Sequence, residues 1–233
     1  MDVRVGDASA GDEPAVGHAV GLIGGTGRLG RGLATRFAAA GHRVLIGSRD
    51  AARAHSSATQ ISNSVVGVSN TAACDADLVL VTVPWSAHDE TLAALSLPLR
   101  GRVVVDCVNP LGFDERGPFA LSVPAGSAAE RAQELLPQSA VVGAFHHISA
   151  ELLLNPTTLD GDVLVVGDDR EAVDQVIALA SSIVGLRGVF AGRLRNAGQV
   201  EALTANLIAI NRRYRVQAGL QIAGLGLSRP NTH

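Results

Sequence analysis

A glycine-rich turn directly after a short apolar run limits the folds that this chain can adopt. The run covers residues 19–23, and the turn at 24–30 reads GGTGRLG. In this G-x-G-x-x-G spacing, Gly25 permits a tight turn, Gly27 lets backbone approach a pyrophosphate, and Gly30 lets a helix pack closely on the strand. Good helix formers follow, and the N-terminus of a helix favours anions. The pattern therefore predicts a dinucleotide-binding site.

The other apolar runs predict a mainly parallel sheet covered by helices. Buried parallel strands are typically short, continuous runs of β-branched residues, such as DLVLVTVP at 77–84. We expect strands at 43–46, 65–68, 77–84, 103–107, 141–144, 162–166 and 189–190, helices at 31–40, 51–63, 128–136, 171–183 and 196–223, and a loop at 111–127. We therefore predict an α/β fold, a Rossmann-type doubly wound and mainly parallel sheet with a small C-terminal addition of helix and strand.

Composition excludes several classes of protein. All 19 basic residues are arginine, so a lysine Schiff base and a lysine-containing phosphate loop are excluded. Aromatic residues make up 3% of the chain and the net charge is −3, which argues against nucleic-acid binding. Cys74 and Cys107 belong to no metal-ligand or disulfide pattern, so we expect no metal. No apolar run suits a signal peptide or a membrane span, and we predict a cytoplasmic protein with a flexible N-terminal extension at residues 1–18.

The residues at the end of the second predicted strand indicate which dinucleotide binds. An NAD site places a carboxylate there to hold the ribose hydroxyls, whereas this chain offers Ser48, Arg49 and then Arg53. Hydroxyl and guanidinium groups are donors that suit a 2′-phosphate. Asp50 comes later, at the expected start of a helix, where an acidic residue is favoured anyway. We therefore predict NADP.

Three pairs of residues follow predicted strands and are candidates for the reacting end of the cleft. Ligands of open α/β sheets bind beyond the carboxyl ends of the strands, where we expect Pro84-Trp85, Asn109-Pro110 and His146-His147. The side chains of adjacent histidines diverge, so this pair is a poor site for one metal ion. Two interpretations of His146 stay open: a structural histidine, and a residue of the cleft beside the site of hydride transfer.

Five longer segments of the chain carry a family resemblance. They are GGTGRLGRGLATRFAAAGHRVLIGSR, VTVPW, AFHHISAELL, DVLVVGDD and RLRNAGQVEALTANLIAINRRY. Together they resemble the coenzyme F420-dependent NADP oxidoreductases, from about Ala19 to about Ala223, and FHHIS and VEALTANLI are the most specific parts. The resemblance implies hydride transfer between NADP(H) and the 5-deazaflavin F420, for which the protein positions two cofactors and supplies no essential acid or base.

The resemblance also implies roles for individual residues. Those implied to hold NADP are Gly25, Thr26, Gly27, Arg28, Leu29, Ser48, Arg49, Arg53, Val83, Asn109 and Ala150. Those implied to position the two redox rings are His146, Ile148 and Thr204. The turn after Trp85 departs from the family pattern, because it continues Ser86-Ala87-His88 and leaves a family histidine without a clear counterpart.

The resemblance further implies a homodimer and two regions of chain. We expect an NADP-binding Rossmann domain at 19–150 and a smaller region at 151–233 that completes the F420 site and the dimer contact. Residues 187–233 carry seven arginines and one acidic residue, which are candidates for contact with the anionic tail of F420. Two alternatives stay open: an NADP-dependent reductase of another small substrate, and a non-catalytic NADP-sensing regulator.

Overall fold

A computed structural model describes residues 17–156 and 158–225 of the chain. Within them the strands are β1 (Ala19–Ile23), β2 (Arg43–Ser48), β3 (Val65–Ser69), β4 (Leu78–Val81), β5 (Val103–Asp106), β6 (Leu111–Asp114), β7 (Gly117–Ala120), β8 (Ala140–Gly143), β9 (Gly161–Gly167) and β10 (Leu186–Gly192). The helices are α1 (Arg28–Ala39), α2 (Ala51–Thr59), α3 (Asn70–Ala73), α4 (His88–Leu95), α5 (Ala128–Leu135), α6 (Ala150–Leu154), α7 (Arg170–Ser181) and α8 (Ala197–Tyr214). Short 3-10 turns lie at Trp85–Ala87 and Leu194–Asn196.

Eight of the strands form one sheet in the order β10-β9-β8-β5-β4-β1-β2-β3. From β3 to β8 all neighbours are parallel, which is the strand order of a Rossmann fold with β8 as its sixth strand. Strand β9 runs antiparallel to β8, and β10 runs parallel to β9. The predicted Rossmann-type, mainly parallel sheet is confirmed, and its C-terminal addition extends the same sheet in the reverse direction.

The central strands are buried because helices cover both faces of the sheet. In β4, Leu78 and Leu80 belong to one apolar cluster, whereas Val79 and Val81 belong to the other. Helices α1, α2 and α7 contribute to the first cluster, and α4 and α5 to the second. Burial on both faces explains why such a strand reads as an uninterrupted apolar run. Because β1, β2, β4 and β5 run parallel, the loops that follow them lie at the same edge of the sheet.

The segment predicted as a loop at 111–127 contains a β-hairpin, so that prediction was wrong. Strands β6 and β7 pair antiparallel, and the turn between them is closed by Asp114, whose Oδ1 accepts hydrogen bonds from the N–H groups of Arg116 and Gly117. Gly117 has a φ of 118°, a conformation that favours glycine. The hairpin carries exposed phenylalanines in place of a buried apolar face, which is why the alternation expected of a strand is missing.

The helix predicted over 196–223 ends earlier, at Tyr214. Arg215 adopts the left-handed conformation, with φ 55°, and Asn211 Oδ1 accepts the N–H of Ala218 at 2.7 Å. The chain then runs beside β9, where the Asp162 N–H donates to the carbonyl of Leu220. The apolar residues beyond Tyr214 therefore lie outside the helix, in a segment that hydrogen-bonds to β9 and leaves Val216, Ile222 and Leu225 exposed.

The predicted division of the chain at residue 150 stays a prediction. Of the N-terminal extension, residues 1–16 lie outside the described residues, as do residues 226–233 of the C-terminal region. Among the residues that the structure describes, no helix is both long enough and apolar enough to cross a bilayer.

Candidate functional site

A cleft of about 610 Å³ lies beyond the carboxyl ends of β1, β2, β4 and β5. This is the edge at which open α/β sheets bind their ligands. The predicted cofactor-binding residues that line the cleft are Thr26, Gly27, Arg28, Leu29, Ser48, Arg49, Arg53, Val83 and Asn109. Pro84 and Trp85 line it as well. Gly25 and Ala150 do not belong to its lining.

The glycine turn presents the start of α1 to the cleft. Gly27 caps the helix without a side-chain hydrogen bond, so the first-turn N–H groups are available to an anion. A Cβ on Gly27 would have its nearest neighbour 3.6 Å away, which leaves room for a ligand above it. Gly25 lies beneath the turn, where its N–H donates to the carbonyls of Leu22 and Gly47. Gly25 therefore shapes the turn, and Gly27 faces the cleft.

Gly30 holds α1 against the turn. A Cβ at this position would lie 2.6 Å from Gly25 Cα and 2.7 Å from Gly25 O. Both atoms belong to backbone, so no side-chain movement relieves the clash. The close packing that requires Gly30 is therefore between α1 and the turn at Gly25, whereas the sequence predicted packing of the helix on the strand.

The end of β2 presents arginines to the cleft while its acidic residue is engaged in a helix cap. Asp50 is the N-cap of α2, and its Oδ1 accepts the N–H groups of Ala52 and Arg53 at 2.9 and 3.1 Å. The hydroxyl of Ser48 accepts the N–H of Asp50 at 3.1 Å. The guanidinium groups of Arg49 and Arg53 are exposed and form no ion pair within the described residues. This arrangement suits a phosphate better than a pair of ribose hydroxyls.

The carbonyl of His146 joins three elements beside Asn109, which lines the cleft, whereas His146, Ile148 and Thr204 are not part of the cleft lining. It accepts hydrogen bonds from Asn109 Nδ2 at 2.8 Å and from Thr204 Oγ1 at 3.0 Å. These contacts link the loop after β5, the loop after β8 and helix α8. The preceding residue, Phe145, has a φ of 64° although it is not glycine, and it is fully buried against Phe37. Such strained backbone persists where the surrounding structure enforces it, often at a functional site.

The side chain of His146 is buried and neutral. Burial lowers the pKa of its imidazole to about 4. Neither ring nitrogen makes a hydrogen bond of good geometry among the described residues, although a contact with the Val108 backbone opposes the fall of its pKa; Asn109 Oδ1 has no partner there. Unpaired buried polar atoms of this kind indicate a place where a polar ligand group can bind. The neighbouring His147 points elsewhere, with Nε2 donating to the carbonyl of Asp162, so the two side chains diverge as predicted.

Ile148 and Ala150 lie on the segment that continues from these histidines. Ile148 is half-buried against the apolar cluster, and Ala150 begins α6. Helix α6 packs on α1, where Arg36 donates to the carbonyls of Leu152, Leu153 and Asn155. The structure therefore ties this segment to the helix that starts at the glycine turn.

A buried ion pair behind the cleft was missed by the sequence analysis. His88 Nε2 lies 2.7 Å from Asp106 Oδ2, and both side chains are fully buried. The one signal in the sequence is an aspartate that closes the apolar run of β5. The partner is separated from it by a helix, so the pairing appears only in three dimensions.

Comparisons with known proteins point to one family. Residues 19–110 match a family model described as NADP oxidoreductase coenzyme F420-dependent. The chain is 40% identical over 220 residues to the F420-dependent NADP reductase of Methanothermobacter thermautotrophicus, covering 88% of this chain and 95% of that protein. Its identity to the F420-dependent NADP reductase of Methanocaldococcus jannaschii is 35%, covering 88% and 98% of the two chains.

A solved structure shows the same fold over nearly the whole chain. It is a putative F420-dependent NADP-reductase from Arthrobacter sp. FB24, with a TM-score of 0.78 and 25% identity, covering 89% of this chain and 100% of that chain.

Proposed function

The chain belongs to the coenzyme F420-dependent NADP oxidoreductases, and we propose that it transfers a hydride between NADP(H) and F420 where the cleft meets the His146 carbonyl. The observation that carries this placement is the contact of Asn109 and Thr204 with that one carbonyl oxygen. Asn109 also lines the dinucleotide cleft, whereas Thr204 comes from the C-terminal helix. The two sides of the site therefore meet at a single group.

The NADP side of the site is supported by charge and by open backbone. We assign the 2′-phosphate to Ser48, Arg49 and Arg53, because their donors face the cleft while Asp50 is engaged in its cap. We assign the diphosphate to the residues at the start of α1, where helix N–H groups are open. The residues of this second group are Thr26, Gly27, Arg28 and Leu29, on the turn that Gly25 shapes.

The inner end of the site is assigned to the residues around the His146 carbonyl. When bound together, NADP and F420 supply the complete two-electron chemistry through direct hydride exchange. The protein has to orient the rings and exclude water, which is a positioning task. We assign Val83, Asn109 and Ala150 to the ribose and nicotinamide, and His146, Ile148 and Thr204 to the contact between rings. Because the pKa of His146 is about 4, its side chain is neutral at physiological pH and positions without donating a proton from an imidazolium.

Loss of the Thr204 hydroxyl tests this assignment. In Thr204→Val we expect hydride transfer to slow by roughly tenfold, because one of the two hydrogen bonds to the His146 carbonyl is lost. Affinity for NADP should change little, since the phosphate-binding residues lie on other elements. Ile148→Ala should behave likewise, and His146→Ala should slow turnover without abolishing it. Stopped-flow spectroscopy with reduced F420 and NADP measures the step.

The matched control is Thr35→Val, because the Thr35 hydroxyl donates to the carbonyl of Arg31 within its own helix. This control should transfer hydride at the wild-type rate. Absence of any transfer between F420 and NADP in the wild type would contradict the proposed function. Reduction of a different substrate by NADPH would then favour the first alternative, and NADP binding without turnover the second. Complete loss of transfer in His146→Ala with NADP binding intact would instead identify His146 as an essential acid or base.

We assign the charged part of F420 to two C-terminal arginines. Arg212 and Arg215 line a separate cavity of about 490 Å³, and Ile208 also borders it. Thr204, Ile208 and Arg212 share one face of α8, and the rise of a helix puts Arg212 about 12 Å from Thr204 along the axis. We propose that this face leads from the ring to the anionic tail. The assignment supports a role for residues 151–233 in completing the F420 site.

We also propose a homodimer that uses the end of α8 and the neighbouring hairpin. Strand β7 packs beside α8, and these two elements with the residue after β7 expose Phe119, Leu121, Ile210 and Tyr214. Large apolar side chains that cluster on a surface mark a site of association. The free, buried thiols of Cys74 and Cys107 are consistent with a reducing compartment, and we place the protein in the cytoplasm.

Replacing Tyr214 with aspartate tests the dimer. A charge at a residue 69% exposed costs nothing in a monomer but is buried in the proposed interface, so we expect Tyr214→Asp to be monomeric at micromolar concentration. The control is Val184→Asp, which is similarly exposed, at 71%, and lies outside this surface. Sedimentation velocity measures both. A wild-type protein that sediments as a monomer would rule the dimer out.

A further inference from the structure

The buried pair of His88 and Asp106 uses all of its hydrogen-bonding atoms to join two walls of the cleft. His88 Nε2 donates to Asp106 Oδ2 at 2.7 Å, and Asp106 Oδ1 accepts the N–H of Val108 at 2.9 Å. The second ring nitrogen, Nδ1, lies 3.2 Å from Asp89 Oδ1. Asp89 in turn accepts a hydrogen bond from Arg131 at 2.9 Å. Each ring nitrogen therefore faces a carboxylate oxygen.

The location of the pair indicates a role other than stabilising the fold. A buried ion pair pays a desolvation cost that apolar residues of similar size avoid, so it stabilises the fold weakly at best. Its neighbours in sequence face the cleft: Trp85 and Ala87 precede His88, and Val108 and Asn109 follow Asp106. The rings of Trp85 and His88 are 5.2 Å apart. The pair thus stands directly behind the loops that follow β4 and β5.

A series of hydrogen bonds connects this pair to the His146 carbonyl, where we place the reacting end of the site. Asp106 holds the N–H of Val108, and the next residue, Asn109, donates to the His146 carbonyl. Thr204 donates to the same oxygen. A movement of the loop after β5 would therefore displace the group on which the NADP side and the F420 side of the site meet.

We propose that His88 and Asp106 are positioning residues for the nicotinamide end of the cleft, acting through Val108 and Asn109. Neither is expected to touch a cofactor. The charge state fits this role: burial alone lowers the pKa of His88, but the hydrogen bonds and charges of Asp106 and Asp89 raise it above the ordinary histidine value. The expected effect on hydride transfer rests on the proposed function. The expected effect on the position of bound NADPH requires only that NADPH binds in the cleft.

The test compares His88→Gln, Asp106→Asn and the double variant with the wild type. We expect each single variant to lower the single-turnover rate of hydride transfer by roughly ten- to hundredfold, because small displacements of reacting groups are costly. The Kd for NADPH should change by less than about threefold, since the phosphate contacts lie elsewhere. The double variant, in which a neutral amide pair replaces the ion pair, should recover part of the lost rate.

The matched control is His42→Gln. His42 is also a buried histidine, with Nε2 2.9 Å from Ser182 Oγ, but it precedes β2 at the opposite edge of the sheet. Thermal unfolding of all variants separates positioning from stability. If His88→Gln alone does not fold, Asp106→Asn and the double variant carry the same comparison.

Trp85 supplies a readout that requires no F420, because it is the single tryptophan of the chain and lines the cleft. Energy transfer from Trp85 to bound NADPH depends on their separation, and we expect its efficiency in His88→Gln to differ from wild type by more than it does in His42→Gln. Unchanged energy transfer and an unchanged hydride-transfer rate would overturn the positioning role, as would a loss of rate that follows unfolding alone. A wild type inactive with F420 contradicts the proposed function, while the energy-transfer result still decides the role of the pair.

Discussion

Arg49→Ala is expected to weaken NADPH binding by roughly tenfold to hundredfold and to leave NADH binding almost unchanged. A hydrogen bond to a charged group contributes about 1.5–3 kcal/mol, which corresponds to that range of affinity. Arg49 lines the cleft without an ion-pair partner among the described residues, so Arg49→Ala breaks no salt bridge there. The measurement is the ratio of the KM values for NADPH and NADH.

The control for this variant lies on the same strand. Arg43 begins β2 at the opposite edge of the sheet and is exposed, so Arg43→Ala removes the same charge far from the cleft. Its NADPH to NADH ratio should equal that of the wild type. An Arg49→Ala protein with an unchanged ratio would show that the 2′-phosphate is held elsewhere.

The glycines of the turn should separate folding from cofactor binding. Gly30→Ala places a methyl group 2.6 Å from Gly25 Cα, and we expect it to cost about 3 kcal/mol or more. For a chain of this size, that lowers the Tm by roughly 10 °C. Gly27→Ala meets no atom closer than 3.6 Å and adopts φ −72°, so the fold should be retained while NADP binding weakens.

Calorimetry and NADP titration of the two proteins check this contrast. A Gly30→Ala protein with the wild-type Tm would mean that the turn relaxes without cost. Gly27→Ala with wild-type affinity would show that backbone at this position does not approach the diphosphate. The two variants carry the same chemical change, so each serves as the control for the other.

The fold was predictable where local pattern and burial agree. Strands β1, β4 and β5 are covered on both faces, and their continuous apolar runs identify them directly. The hairpin was missed because Phe113 and Phe119 are exposed, so no buried face produces an alternating pattern. The end of α8 was missed because apolar spacing continues through Val216 and Leu220. The Asn211 side chain holds the turn after Tyr214, and the chain beyond that turn bonds to Asp162 of β9, so neither contact is visible in local spacing.

The site was predictable to the extent that it depends on strand ends. The glycine turn, the arginines after β2 and the dipeptides after β4 and β5 all follow identifiable strands, and parallel order brings them together. The pairing of His88 with Asp106 joins residues in different loops, and no local spacing encodes it. The left-handed backbone of Phe145 has no signal either, because glycine is the residue expected there.

The cap at the start of α2 has a consequence for redesigning coenzyme preference. The cleft wall already carries the kind of carboxylate that NAD-preferring enzymes use, but Asp50 Oδ1 is occupied by two backbone N–H groups. Removing the arginines would therefore remove the proposed contacts to the 2′-phosphate without releasing Asp50 Oδ1 to bind a ribose hydroxyl. In an NADH-preferring form, different residues would have to cap α2 and bind the ribose. Asp50→Ser would keep the helix cap, and Ser48→Asp would supply a carboxylate that does not cap the helix.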